Sequence, residues 1–418
     1  MIYLVSQEQF IFNSPDIKPI SIEESLNILA PLEIVGLDTE TTGLDPYTKG
    51  LKLVQLGCKE FQVVIDTTNI DILAYKEYLE SNRLFLLWNA KFDLKWFYKY
   101  GIVIKNVYDG FLAEKLMWLG YPNGMHSFSL KSAGENYLGI ELDKTVRGKI
   151  IYSKLDEEII RYGANDVQWL EDIREKQLEK LKEKELLTAI DIENRFVRVL
   201  AYIEWCGVKL DINKWKAKML KDKSRENIAK INCDNWLIEN EPNSPYIKID
   251  YQGDLFSEDP FDLTPQVTLN WNSAKQLGPI FKKYGVDIEV EDKEKGGTKD
   301  SIDAKCLKPQ KDKCSLIPLY LEYKEAVKVT STYGENFLEQ INPVSYRLHT
   351  SYSQMGADTT RITSGGKDKE NRTEYLNFLN LPADAETRAC FVAEEGNKWI
   401  SIDYSGQETY LMASMAND

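Results

Sequence analysis

The segment Ile34-Val35-Gly36-Leu37-Asp38-Thr39-Glu40 is an apolar run that stops in two carboxylates two residues apart. Side chains on a strand alternate between faces, so Asp38 and Glu40 project together from the strand's end. Two carboxylates side by side repel, and the arrangement is costly unless a cation lies between them. The plainer alternative is a surface strand whose end is merely acidic. The apolar character of 34–37 favours burial, so a fold for this chain must cover that run within a sheet and leave its end open.

The surrounding pattern supplies such a sheet. Strands are expected at Ile2–Val5, Glu33–Asp38, Leu51–Leu56, Phe61–Asp66 and Leu84–Trp88, with Gly43 and Asp45-Pro46 turning the chain. Ser21-x-x-Glu24 reads as a capping box opening a helix, and another helix starts near Ala90. Strands followed by helices imply a mixed α/β layer with helices packed on it. From Asp156 to about Leu187 apolar residues keep helical spacing, with a break near Asn165 and Gly163 fitting close helix–helix packing. A boundary is expected near 187–192, then a helix from Ile192 to Trp205 ending at Gly207. Residues 212–340 read as helix-rich, with exposed loops at Glu239–Phe261 and Glu289–Asp300. Short strands return after Arg347 and include Lys398–Asp403, ahead of a helix starting at Gln407.

At 418 residues the chain is long enough for two or three domains. Its longest strictly apolar run, Leu84–Trp88, is far below the ~20 residues of a membrane span, and no secretory signal is visible. Six scattered cysteines form no CxxC pair, and with only two histidines they do not suggest a zinc site; free thiols in a reducing compartment follow. The net charge is −14, and both halves of the chain are acidic. That argues against a nonspecific nucleic-acid coat protein, but not against an enzyme that commits carboxylates to metal ions.

Two further carboxylate motifs join the first. In Trp88-Asn89-Ala-Lys-Phe-Asp93, Asn89 and Asp93 share a helical face; an N-cap role is the plainer reading of Asn89. In Tyr162-Gly-Ala-Asn-Asp166 the same spacing recurs, with a core tyrosine and an exposed aspartate as the alternative. Four carboxylates converging on one spot would bind two hard divalent cations through oxygen, an arrangement suited to in-line displacement at phosphorus.

These three motifs, in this order and spacing, resemble those of the DEDD 3′–5′ exonucleases in the tyrosine-containing subclass, and most of all the proofreading domains of family A (DNA polymerase I-like) DNA polymerases. Tyr108-Asp109-Gly-Phe-Leu and Ser127–Leu138 fit the same pattern. The resemblance covers roughly residues 30–185. It implies an α/β RNase H-like exonuclease domain with a mixed sheet, followed by a mostly helical thumb and the start of an α+β palm. It further implies that Asp38, Glu40 and Asp166 hold one Mg²⁺ or Mn²⁺ ion, and that Asp38, with Asp93 through water, faces a second. Tyr162 would orient the attacking water, since a phenol of pKa ~10 is a poor base at neutral pH.

The second half continues the resemblance. Glu193-Asn-Arg-Phe through Asp211 is similar to the passage from exonuclease to thumb, and Asn272–Leu277 to a thumb motif. Arg347-Leu-His349-Thr-Ser351, Thr360-Arg361-Ile-Thr-Ser364, Asn380-Leu-Pro382 and Arg388-x-x-Phe391 follow in family order. Ile402-Asp403-Tyr-Ser-Gly-Gln-Glu408 resembles polymerase motif A, with Asp403 as a catalytic metal ligand and Glu408 excluding a ribose 2′-OH. Asn89, Arg347, His349, Arg361 and Arg388 would touch substrate, the arginines through phosphate and His349 through the DNA backbone. His126 has no assignment. The run Lys95–Lys99 suggests base stacking or, on a helix, core packing. Thr360 stands where the family pattern has Gly, Gly406 where it has Gln, and Tyr410 where Arg is common; the insert Gly365–Tyr375 is also unusual. The form DYSGQE occurs in viral relatives, which suggests a phage-type member.

The domains expected are 1–190 exonuclease, 191–345 thumb-like and 346–418 beginning of palm. The chain runs fifteen residues past Asp403, without a second palm carboxylate or a fingers helix. The expected activity is therefore 3′–5′ hydrolysis of single-stranded DNA ends by the N-terminal part of such a polymerase. Primer-template DNA is an expected partner, and so is a second chain carrying the rest of palm and fingers. Deoxynucleoside triphosphate would bind only with a complete palm. The location would be cytoplasmic (the host's, if phage-encoded), with no membrane partner. The alternatives are a freestanding exonuclease with a DNA-gripping polymerase remnant, and a non-enzymatic assembly subunit.

Overall fold

Seven strands form the sheet that the apolar run 34–37 requires. The computed structural model describes residues 1–12, 14–122, 124–142, 153–249, 265–292, 296–367 and 374–416. The strands are β1 (Ile2–Val5), β2 (Ile17–Pro19), β3 (Ile34–Thr41), β4 (Leu51–Gly57), β5 (Gln62–Asp66), β6 (Leu84–Leu87) and β7 (Val107–Asp109), in the spatial order β2-β1-β5-β4-β3-β6-β7. β3, β4 and β5 are a meander of antiparallel neighbours, and the flanking pairs are parallel. This is the mixed, RNase H-like sheet expected. β2 and β7, three residues each, are too short to announce themselves by alternation.

The helices of this part are α1 (Ile22–Leu29), α2 (Lys76–Leu79), α3 (Ala90–Lys99), α4 (Gly110–Met117), α5 (Leu130–Leu138), α6 (Glu157–Gln168), α7 (Leu170–Glu183) and α8 (Leu187–Cys206). The capping box at Ser21 and Glu24 is present: Glu24 N–H donates to Ser21 Oγ and Ser21 N–H to Glu24 Oε2. The single helical stretch expected over 156–187 is two helices, and the break falls at Trp169 rather than near Asn165. Trp96 and Phe97 are fully buried, so the aromatic run 95–99 is a core face.

α6 lies on β3, β4 and β5, closing one face of the sheet over Leu4, Leu53 and Val64 with Ile159, Ile160 and Tyr162. Glycines on both sides let it approach. A Cβ on Gly36 would come within 2.6 Å of the Val167 carbonyl oxygen, and one on Gly163 within 2.4 Å of Gln55 Nε2. The close contact at Gly163 is therefore with the sheet rather than with another helix. The opposite face buries Val35, Leu37, Val54 and Leu56 in a larger core with residues of α3, α4, α7 and α8.

By internal contacts the chain forms two compact units, Met1–Lys209 with Ile341–Pro382, and Leu210–Gln340 with Ala383–Asp418. The second holds α9 (Ile212–Asn240), α10 (Ala274–Lys283), α11 (Ala304–Leu307), α12 (Leu316–Thr332), α13 (Glu335–Glu339), α14 (Ala385–Ala389) and α15 (Gln407–Ala416). α9 packs along α12, and Trp236, Trp271, Phe281 and Tyr320 fill its core. α9 runs into the expected loop at 239, and residues 250–264 of that loop lie outside the described residues. The expected loop at 289–300 holds an antiparallel pair, Glu289–Glu291 with Thr298–Asp300. The insert 365–375 pairs Gly366–Lys367 with Glu374–Tyr375, and 368–373 lie outside the described residues. Short strands after Arg347 are present at Tyr352–Ser353, Thr363–Ser364 and Phe391–Val392. Lys398–Asp403 is not a strand: it is irregular and exposed, with Ile402 87% accessible. A strand needs a neighbour to satisfy its backbone groups, and none pairs with this segment among the described residues. All six cysteines are free, and no helix of the described residues is long and apolar enough to cross a membrane.

Replacing Gly36 by Ala forces a methyl group against backbone, which cannot swing aside as a side chain can. Gly36→Ala should lower unfolding free energy by about 1–3 kcal/mol, measured by urea denaturation. An unchanged midpoint would show that α6 is not seated tightly on β3.

Candidate metal centre

Asp38 and Glu40 extend from the end of β3 on one face, and Asp166 comes down from α6 above them. Carboxylate oxygens of the three all lie within 4.8 Å of one another. Asp38 and Glu40 are half-buried, Asp166 buried. The pairing of β3 with β4 shifts register between Glu40 and Thr41, which turns the strand end where the carboxylates stand. Three carboxylates at that spacing fit a hard divalent cation: bonds of about 2.1 Å place trans oxygens roughly 4.2 Å apart. Tyr162 is buried one turn before Asp166 on the same helix.

Asp93 stands apart from that trio. It is 2% exposed in the first turn of α3, and Thr39 Oγ1 donates to its Oδ1 at 2.6 Å. Burial, then the neighbouring charge of Asp38, holds its carboxyl well above the usual aspartate range. Thr39 alternates to the opposite face from Asp38 and Glu40, so the strand end addresses α6 with two residues and α3 with the one between them. That role is readable from alternation, but a threonine between two acids draws no notice in sequence.

Asn89 does not cap α3 with its side chain. It sits in the left-handed region at φ 68°, and the cap comes from Asp109 at the end of β7. Asp109 accepts the N–H groups of Asn89 and Ala90 at 2.9 Å each, and those of Phe111 and Leu112 at the start of α4. One buried carboxylate thus ties the first turns of two helices, and so sets where Asp93 stands. Burial pushes its pKa up to about 6, against the pull of those four donors.

The other residues singled out lie elsewhere. Asp403 is in the exposed segment before α15 and belongs to no metal-ligating group among the described residues; Glu408 is in the first turn of α15, and Arg388 is exposed on α14. In the first unit, Arg347 Nη1 donates to the Cys206 carbonyl at 2.8 Å. Both ring nitrogens of His349 have protein partners, Glu204 O at 2.8 Å and Ser345 Oγ at 2.7 Å, and burial lowers its pKa. Arg361 is exposed after Thr360, which takes φ 67°. The family's glycine there is explained: a β-branched residue at positive φ costs on the order of 1–3 kcal/mol. His126 binds Glu114 through Nε2 at 2.9 Å and stacks on Trp118, a structural role.

Glu204, within the segment from Glu193 to Asp211, is the anchor of the 341–382 segment. It is buried on α8 and receives Lys91 at 2.6 Å, Lys95 at 2.7 Å and the Tyr352 N–H at 2.6 Å. Burial disfavours its charge, but Lys95 and Lys91 outweigh that and hold its pKa below the usual range.

Residues 18–182 match the family described as 3′-5′ exonuclease, and residues 255–418 match DNA polymerase family A. DNA polymerase I of Borreliella burgdorferi is 28% identical over 423 residues, covering 96% of this chain and 41% of the relative. DNA polymerase I of Aquifex aeolicus is 29% identical over 403 residues, covering 91% and 60%. The chain thus spans about half the length of these curated relatives. The POL domain of Pol1 from M. smegmatis, solved in complex with DNA primer-template and dNTP, superposes with a TM-score of 0.65 at 19% identity, over 95% of this chain and 62% of that one. That likeness shows a shared fold.

A pH dependence follows from Asp109. Its folded pKa of about 6 exceeds the unfolded ~3.9, so between those values the native state holds the extra proton. Its contribution to stability is complete below pH ~4 and is lost as pH rises through 6. Asp109→Asn loses hydrogen bonds at every pH but not this titration. Its stability deficit against wild type should therefore shrink by on the order of 2 kcal/mol from pH 4 to pH 7, read by denaturant melts across that range. A deficit that grows with pH would refute the buried, weakly acidic state of Asp109.

Proposed function

Since residues 18–182 belong to the 3′–5′ exonuclease family and residues 255–418 to the family A DNA polymerases, we propose that this chain removes nucleotides from the 3′ end of single-stranded DNA as the proofreading part of such a polymerase. The observation that carries the reading is the convergence of Asp38, Glu40 and Asp166 within 4.8 Å, with Tyr162 one turn away. The functional division proposed is exonuclease over 1–190, thumb over 191–345 and palm from 346.

Asp38, Glu40 and Asp166 would hold one Mg²⁺ or Mn²⁺ ion, and Asp38 with Asp93, through water, a second. Divalent cations there would supply an acidified water and neutralise charge building on the phosphate. The chain's own groups set the geometry. Tyr162 would orient the attacking water by a hydrogen bond. Thr39 holds one oxygen of Asp93. A cation between them would relieve the unfavourable proximity of Asp93 to Asp38. Attack of water at phosphorus breaks the bond to the 3′ oxygen, leaving a 3′-OH on the shortened strand and releasing a nucleoside 5′-monophosphate.

In the polymerase-family half, Asp403 would be one metal ligand of a nucleotidyl-transfer site and Glu408 the guard against a ribose 2′-OH. Arg361 and Arg388, both exposed, would meet phosphate. Trp399, Ile400, Ile402 and Tyr404 beside Asp403 are exposed, an apolar surface of the kind that marks a contact region.

Asp38→Ala combined with Glu40→Ala should abolish release of nucleotides from a labelled single-stranded 3′ end, by more than the ~10²–10⁴ of a lost general acid or base, with folding retained by circular dichroism. Activity at wild-type level would remove the assignment. Tyr162→Phe should slow the same assay while Mn²⁺ affinity stays within about twofold, since only a hydroxyl is lost; a large fall in affinity would make Tyr162 a ligand instead.

A further inference from the structure

Gln55 is a polar residue in the middle of an otherwise buried strand, on the face that carries the carboxylates. It stands directly opposite Asp38 in the β3–β4 register. Opposed residues of an antiparallel pair share a face, with Cβ atoms about 4.5–5.5 Å apart. Its other cross-strand neighbour is Val64. Gln55 is 0% exposed, and neither its Nε2 nor its Oε1 has a hydrogen-bond partner among the described residues. The amide reaches toward α6: a Cβ on Gly163 would lie 2.4 Å from Nε2. Gly163 separates Tyr162 from the turn that carries Asp166. The amide is thus enclosed between the strand of Asp38 and the helix of Asp166, with apolar Leu53 and Val64 as its remaining floor. Buried amides nearly always bond, and the polar side chain paired with Gln55 across the strands on this face is the carboxylate of Asp38.

Resting on the metal-site reading above, we infer that Gln55 is a positioning residue of the site, its Nε2–H turning to donate to the Asp38 carboxylate when a cation binds and fixing that side chain as a ligand. Ligating carboxylates are ordinarily held in this way by a second hydrogen bond, and such partners account for about 10–100-fold in metal affinity. Glutamine suits the task better than a charged residue. Its N–H supports the Asp38 charge without adding a cation that would compete with the metal, or an anion that would deepen the repulsion.

The test uses the 418-residue chain and Mn²⁺ alone, titrated by electron paramagnetic resonance, with thermal melts in the absence of divalent cations. Gln55→Met keeps the volume and removes the donor. It should weaken Mn²⁺ binding by about 10–100-fold, while the cation-free melting temperature stays level or rises, because an unpartnered buried amide has been replaced by an apolar side chain. Unchanged Mn²⁺ affinity overturns the inference. So does a fall in affinity accompanied by a lower cation-free melting temperature, which marks a merely structural glutamine. Asp38→Asn is the companion control. If wild type binds Mn²⁺ and Asp38→Asn does not, while Gln55→Met binds as wild type, the metal site stands and the role of Gln55 falls. If wild type binds no Mn²⁺, the metal-site reading falls first and this inference with it.

Discussion

Everything at the candidate site depends on how closely α6 can approach β3. Asp166 reaches Asp38 and Glu40 because Gly36 on β3 and Gly163 facing Gln55 of β4 remove the two side chains that would hold helix and sheet apart. The approach brings like charges together, so packing energy is set against electrostatic repulsion. Tight apolar burial of Ile159, Ile160 and Tyr162 over Leu4, Leu53 and Val64 supplies the opposing term. The carboxylates are consequently held where they would not settle by themselves, and a divalent cation turns that repulsion into attraction. Such a site is preorganised by its scaffold rather than assembled by its ligand.

A second buried charge works in the opposite sense. Glu204 is enclosed with two lysines of α3, Lys91 and Lys95, on the helix that also carries Asp93. The same glutamate receives the Tyr352 N–H, and Lys91 donates to the Tyr352 carbonyl. The 341–382 segment is thereby fastened to α3 by charge-assisted bonds. Loss of Glu204 would leave two half-buried cations without their partner, a far larger penalty than losing a surface pair. Asp109 braces α3 at its first turn, and Glu204 braces it along its flank.

What could be read in the sequence follows from what repeats there. The apolar run 34–37 and the spacings 89–93 and 162–166 locate three elements of the site, because strand and helix periodicities fix faces without knowledge of neighbours. Long-range partners have no such signature. Asp109, which in sequence only fits the family pattern, proves to cap two helices: Phe111 and Leu112 are local donors, but Asn89 and Ala90 meet it only after β7 pairs with β6. Gln55 is unremarkable until β4 is placed in register with β3. Lys398–Asp403 has the composition of a strand, yet composition cannot provide the neighbouring strand that its backbone needs. The return of 341–382 to the first unit hangs on Glu204 and His349, residues more than 140 positions apart from one another in chain order, and no local pattern announces it.

A chain of net charge −14 whose focal point is a cluster of carboxylates is a poor host for a polyanion, since field and substrate have the same sign. Basic residues near α3 do not remedy this, because Lys91 and Lys95 are engaged by Glu204. On the proposed reading the cations answer both repulsions together: they screen Asp38 from Asp93, Glu40 and Asp166, and they screen the whole cluster from the phosphate of the 3′ end. Binding of strand and binding of metal are then linked, each favouring the other, and the acidity of the protein ceases to count against a nucleic-acid substrate.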